Sequence, residues 1–261
     1  MKTSNKGEKK DHYFSKTLEK GLITLSLFGD PNLSWGLSQI ARVIGTSKTS
    51  AYRIVNTLVS LGYLRKDPKT KALGVGAKAI YLSSILRGQF DLFQIIRPLI
   101  DDMHSKFNVT VDSAVLADDT MMSLYRVEAK ETLVLRLPVM IKEIHSVALG
   151  KAALAFLPDD EMREMVNRLE LTKRTKNTII SKERLISELN RTRERGYSLN
   201  NEEFIPGLIS VGAPLLSSES KRPIGAVSID SSTVEHRVDF FERKYSVLVK
   251  DLSLAVSKAI P

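Results

Sequence analysis

The chain has 261 residues, 39 Lys+Arg against 30 Asp+Glu, and no cysteine. This length allows two domains with their own cores, and the lack of cysteine excludes disulfides, thiolate metal sites and cysteine nucleophiles while fitting a reducing, cytoplasmic setting. No apolar run is long enough to cross a bilayer, and the leading MKTSNKGEKKDHYFSK lacks the apolar centre of a secretion signal.

The charge is unevenly placed. Residues 1–78 carry 14 Lys+Arg and 5 Asp+Glu, whereas the remainder carries 25 of each. The whole excess of +9 sits in the first third, as expected if one domain meets a polyanion and the other does not. Residues 1–13, small, charged and polar, read as a flexible basic tail.

From residue 14 the pattern is helical. Ser15 can cap a helix carrying Leu18, Leu22, Leu25 and Phe28 on one face, stopped by Gly29, Asp30 and Pro31. Leu37, Ile40, Ala41 and Ile44 predict a short second helix that starts near Ser34 or Gly36 and ends at Gly45. Only Gly45, Thr46 and Ser47 separate it from the next helix, so the two must cross steeply, as in a helix-turn-helix. Ala51, Ile54, Val55, Leu58 and Leu61 give that third helix its core face. It stops at Gly62, and YLRKDPKTKALGV alternates around Asp67 and Pro68 like a hairpin. Arg65, Lys66, Lys69 and Lys71 make the hairpin a basic wing.

A winged helix-turn-helix over residues 14–76 puts its third helix in the major groove and its hairpin beside phosphates. Thr46, Ser47, Lys48, Thr49 and Ser50 cluster at the helix start, where amides, hydroxyls and a cation suit phosphate oxygens. Tyr52, Arg53 and Asn56 can reach base edges. The alternative is a merely solvated helix face; turn length, wing and charge placement agree on DNA.

Residues 77–107 read as a linker helix over 77–90, then the first helix of a second domain at 91–261, with Gly88 as an interruption and Pro98 near a turn or kink. TVDSAVLA, MMSLYRV and TLVLRLPV predict strands. HSVALGKAALAFLP predicts a loop opening a helix over 150–157 that Pro158 ends, and PDDEMREMVNRLE opens another with acids in its first turn. Ser181 and Gly196 bound a further helix, GLISVGAPLL and PIGAVSID resemble paired strands, and a terminal helix runs from about Val234 to Ile260. Strands and helices without a regular βαβ alternation predict an α+β fold.

The amides of Ala148, Leu149 and Gly150 would sit at the positive end of a helix, either as an ordinary helix start or as a seat for a carboxylate or phosphate. Glu202 with Glu203, and His145 with Ser146, tempt an enzyme reading. Adjacent strand residues face opposite ways, however, and neighbouring Ser and His lack a third orienting group. Histidines at 12, 104, 145 and 236 are too scattered for a metal site, and GVG at 74–76 is too little for a nucleotide loop. No cofactor is expected.

Three separated segments carry a family resemblance: LSQIARVIGTSKTSAYRIVNTLVSLGYL, then HSVALGKAALAFLP, then RERGYSLNNEEFIPGLISVGAPL with PIGAVSID. In that order they resemble the IclR family of bacterial transcriptional regulators. The resemblance implies an N-terminal winged helix, a linker helix that dimerises, a C-terminal GAF-like effector-binding domain with an antiparallel sheet, and no catalysis. It implies dimers or tetramers on double-stranded operator DNA, controlled by a small metabolite, often an organic acid. By position it assigns the effector pocket to Ala148, Leu149, Asn200, Ser210, Ser228 and Asp230.

The chain departs from the family pattern in places. It carries Asn200 where many members have Asp, Ser210 where they have Cys, and Asp230 where some have Ser; Val139 and Glu143 replace an upstream Gly and Pro. Asp230 would place a negative charge in a small cavity and repel an anion unless a cation or proton offsets it. A sugar or its derivative is therefore weighed beside an organic acid, and ligand-independent regulation or a DNA-tethered enzyme stay as alternatives.

Overall fold

The computed structural model describes residues 14–29, 34–89, 91–130 and 137–260. The predicted basic tail and the Asp30–Pro31 stop lie outside them. The chain divides into two compact units between Arg87 and Gly88.

In the first unit, α1 (Lys16–Ser26) starts at Ser15, whose hydroxyl accepts a hydrogen bond from the Leu18 amide at 3.3 Å. Helix α2 (Leu37–Val43) gives way to Gly45 at φ +59°, a left-handed turn that leads directly to Ser47, the cap of α3 (Lys48–Ser60). Ile40, Ala41, Ile44, Ala51 and Val55 form the buried core, with Phe28 and Trp35 packed against it. The predicted apolar faces are wider than this core. Leu18, Leu22 and Leu61 are 62%, 58% and 48% exposed, because three short helices cover only part of the stripe; with Leu25, Leu58 and Leu82 they line an open apolar groove.

Strands β1 (Leu64–Lys66) and β2 (Leu73–Val75) pair antiparallel, Leu64 opposite Val75. Their turn is held by Asp67, whose Oδ1 accepts from the amides of Lys69 and Thr70 at 2.8 and 2.7 Å. Helix α4 (Ala77–Gln89) follows.

The second unit contains α5 (Asp91–Phe107), β3 (Thr110–Ala117), β4 (Thr120–Val127), β5 (Met140–Ile141), α6 (Ala148–Ala155), α7 (Asp159–Arg168), α8 (Lys182–Arg195), β6 (Ser198–Asn201), β7 (Leu208–Leu216), β8 (Pro223–Ser232) and α9 (Val238–Ala259). The six strands form one antiparallel sheet in the order β5-β4-β3-β8-β7-β6. Two helix starts differ from expectation, those of α6 and α9. Pro98 lies inside α5, flanked by Ile96 and Ile100 in the core, whose packing outweighs one missing backbone donor. Most of the predicted strand TLVLRLPV falls at 131–136, outside the described residues, and among the described residues the sheet edge is the short β5. Helix α6 starts at Ala148 instead of 150, and α9 starts at Val238 because the amides of Glu235 and His236 bond to the Ser232 carbonyl in a turn.

The sheet has two dry faces. Val111, Ile209, Val211, Val227 and Ile229 pack with residues of α5 and α9, and Ala114 and Ala226 pack with α6, α7 and α8. Every residue of α6 is buried, Lys151 included. The Lys151 ammonium donates to Glu203 Oε1 and to the Leu199 carbonyl, both at 2.5 Å. Arg195 Nε reaches the Tyr197 carbonyl at 2.6 Å and Asn177 Nδ2 the Asn201 carbonyl at 3.0 Å. Alternate carbonyls on the open side of edge strand β6 are thus occupied by side chains, which blunts a surface that would otherwise recruit another strand.

Breaking a buried ion pair from one side leaves the other charge stranded, whereas replacing both with apolar groups does not. Lys151→Met is expected to lower unfolding free energy by about 3–5 kcal/mol, and the double variant Lys151→Met/Glu203→Leu to recover most of it. Urea denaturation of both variants measures this; a double variant no more stable than the single would show that the pair does not hold α6 to β6.

Candidate nucleic-acid interface and effector pocket

On α3, Lys48, Thr49, Tyr52, Arg53 and Asn56 are exposed along one side, while Ala51 and Val55 face the core. Thr46 lies in the preceding turn, half-buried. Two of the hydroxyls are already engaged: Ser47 caps the helix by accepting from the Ser50 amide at 3.2 Å, and it donates to the Ser50 hydroxyl at 3.1 Å. Tyr52 and Asn56 share a cleft with Trp35 and with Lys66 and Lys71 of the hairpin. Strand alternation turns Arg65 the other way, across Gly74, and Lys69 is exposed at the turn. Lys71, at φ +61°, donates from Nζ to the Pro68 carbonyl at 2.8 Å and so also closes the turn.

In the second unit the sheet register sets out two rows of polar residues on the face that α6 covers. One row runs Asn200, Ser210, Asp230, Thr110 across β6, β7, β8 and β3. The next runs Ser198, Gly212, Ser228, Asp112, Arg126 across β6, β7, β8, β3 and β4. Side chains two apart on a strand share a face, so Asn200, Ser210, Ser228 and Asp230 come together. Ala148 joins them because the Ser198 hydroxyl donates to its carbonyl at 2.6 Å and because a Cβ on Gly212 would lie 2.9 Å from that same carbonyl group. Leu149 points into the core, leaving only its amide for a ligand. Gly150 serves packing: a Cβ there would meet the Ile144 carbonyl at 2.0 Å.

The cation that offsets Asp230 is Arg126. Its Nη1 donates to Asp112 Oδ2 at 3.0 Å and Asp230 Oδ2 at 2.9 Å, and its Nε lies 3.6 Å from Glu128. Ser228 donates to Asp230 Oδ1 at 2.8 Å. Neither Arg126 nor Asp112 stood out from the sequence as a site residue; the available signal was a lone Arg and a lone Asp inside strands otherwise apolar or hydroxylic. Asn200 is wholly buried, accepts the Glu203 amide at 2.9 Å through Oδ1, and has no partner for its Nδ2 among the described residues.

The groups that tempted an enzyme reading are occupied separately. Ser146 donates to the Glu143 carbonyl at 2.8 Å and His145 Nε2 lies 3.3 Å from the Thr172 carbonyl, so they form no nucleophile-base pair. Burial pushes the His145 imidazole below its ordinary pKa. Glu202 accepts the Gly207 amide at 2.8 Å while Glu203 faces Lys151.

Burial, aided by the negative charge of Asp230 and opposed by Arg126, pushes the Asp112 carboxyl up to about 7. The folded state therefore holds a proton that the unfolded chain releases near pH 4, so this group's contribution to stability falls as pH rises from about 4 to about 7. Asp112→Asn is expected to raise the denaturation midpoint, relative to the parent protein, more at pH 8 than at pH 5. Urea titrations at the two pH values measure it, and a pH-independent difference would overturn the assignment.

Both units match known protein families. The IclR helix-turn-helix domain matches residues 17–68, and the bacterial transcriptional regulator IclR C-terminal domain matches residues 86–258. The chain is 27% identical over 252 residues to the HTH-type transcriptional regulator XynR of Escherichia coli strain K12, covering 94% of this chain and 97% of that one. It is also 27% identical over 246 residues to the transcriptional repressor IclR of the same organism, covering 92% and 89%. An IclR homolog from Microbacterium hydrocarbonoxydans, crystallised in complex with 4-hydroxybenzoate, shares the fold with a TM-score of 0.74 at 19% identity, covering 94% of this chain and 98% of that one. The chain belongs to the IclR family of bacterial transcriptional regulators, in which a helix-turn-helix domain binds DNA and a C-terminal domain binds an effector.

Proposed function

We propose that this regulator is a cytoplasmic repressor that binds a two-fold operator as a homodimer or a dimer of dimers, and that a small hydroxylated metabolite, a sugar or its derivative, controls the binding. The observation that carries the effector half is the set of neutral polar groups beside Asp230: Ser210, Ser228 and the wholly buried Asn200, whose Nδ2 has no partner among the described residues. A dianionic acid would meet the Asp230 carboxylate, whereas hydroxyl groups can donate to Asp230 and accept from the Asn200 amide. The amides of Ala148 and Leu149 at the start of α6 are the place for a carboxylate if the metabolite carries one. The 4-hydroxybenzoate complex of the Microbacterium homolog supports small-molecule binding by this fold.

Dimer formation is supported by the apolar groove of the first unit, where Leu18, Leu22, Leu61 and Leu82 are exposed together; a second copy is the partner that two-fold operators require. DNA contact is assigned to Thr46, Ser47, Lys48, Thr49, Ser50, Tyr52, Arg53 and Asn56, with Arg65, Lys66, Lys69 and Lys71 on the wing.

Two measurements test the reading. Arg53→Ala, with the fold checked by circular dichroism, is expected to weaken binding to an operator recovered by genome-wide mapping by about ten-fold or more; unchanged affinity would remove α3 from the groove. Calorimetric titration with a panel of sugars, sugar acids and dicarboxylates is expected to find binding that Asp230→Ala and Ser210→Ala each weaken. Tight binding by small dicarboxylates alone would refute the effector class.

A further inference from the structure

The sequence assigned phosphate contacts to the start of α3 and to the wing, and it left α1 out. The structure puts two α1 cations beside the reading helix. Lys16 and Lys20 line a cleft of about 360 Å³ with Thr46, Ser50, Arg53 and Thr57, and among the described residues no carboxylate shares that lining. Lys20 Nζ also donates to the Gly45 carbonyl at 3.2 Å, tying α1 to the turn that sets the angle between α2 and α3. Lys16, one turn away on the same side of α1, is exposed.

The exposed side of α3 thus has two unlike flanks. Tyr52 and Asn56 lie toward the hairpin and its Lys66 and Lys71, whereas Ser50, Arg53 and Thr57 lie toward α1. A B-form major groove is about 12 Å wide and has a phosphate row on each side. A helix seated in it meets one row on each flank, and the wing can serve only one of them. We propose that Lys16 and Lys20 form a second phosphate clamp that grips the backbone across the groove from the wing. The clamp rests on the reading that α3 enters the groove. It fixes register and adds affinity without reading sequence, since phosphates carry no base information.

The test uses the full-length protein and a labelled random-sequence DNA duplex, with affinity followed by fluorescence anisotropy over a series of KCl concentrations. Lys16→Ala is the primary variant because its side chain is exposed and the Lys20 contact to Gly45 stays intact. The expected result is a several-fold weaker Kd at low salt, a log Kd against log salt slope reduced by about one, and an unchanged thermal unfolding midpoint. Lys16→Arg is expected to restore both affinity and slope. A Lys16→Ala protein with the parental slope and Kd would overturn the clamp while leaving α3 as the reader. Failure of the parental protein to bind duplex DNA would overturn the groove reading and the clamp together.

Discussion

The seating of α6 on the sheet is the contact on which the second unit depends. An eight-residue helix buried along its whole length has no solvated side, so its approach must be made by small residues and its polar groups must find partners. Gly212 supplies the approach to the sheet, with the Ala148 backbone where a side chain would go, and Gly150 lets the preceding Ile144 carbonyl close against the helix. Lys151 supplies the polar anchor, joined to Glu203 and to an edge carbonyl of β6. With the helix fixed in this way, its first turn stands over the rows that contain Ser198, Gly212 and Ser228. The face proposed as the effector pocket is a consequence of that packing.

The pocket's electrostatics then follow from strand register. Arg126 reaches both Asp112 and Asp230 only because β4, β3 and β8 are consecutive in the sheet and place the three side chains on one face. The guanidinium is shared and largely withdrawn from water, so each carboxylate depends on it and neither can be removed without changing the other. A ligand that engages Asp230 therefore competes with Arg126 and acts on the tie between β4 and β8. Regulation needs such a differential interaction, because a ligand bound equally well in two states shifts neither.

Much of this was legible in the sequence, for identifiable reasons. Ser15, Gly45, Ser47, Gly62, Ser181 and Gly196 are local signals, and each caps or ends its helix as its chemistry dictates. Resemblance singled out Asn200, Ser210, Ser228 and Asp230 without knowledge of register, and the register sets them on one face of the sheet. What the sequence concealed was long-range. Arg126 lies 104 positions from Asp230, and no period or spacing connects them. The exposure of Leu18 and Leu22 was equally hidden, since a helical stripe reports which residues want cover and not what covers them. Pro98, a local helix breaker, is held inside α5 by the packing of Ile96 and Ile100, a long-range support that its own chemistry does not announce.

The two units also divide their physics. In the first, the cations of α1, α3 and the hairpin are mostly exposed, so their attraction to DNA is long-ranged, screened by salt and dominated by ion release. In the second, the decisive charges are buried and paired within about 3 Å, where salt has little access and burial governs protonation. Ionic strength should therefore tune how tightly the protein holds DNA while barely touching which effector it accepts. With the effector seated at these pairs, as proposed, its selectivity would be set by hydrogen-bond geometry inside the sheet and not by the field outside it.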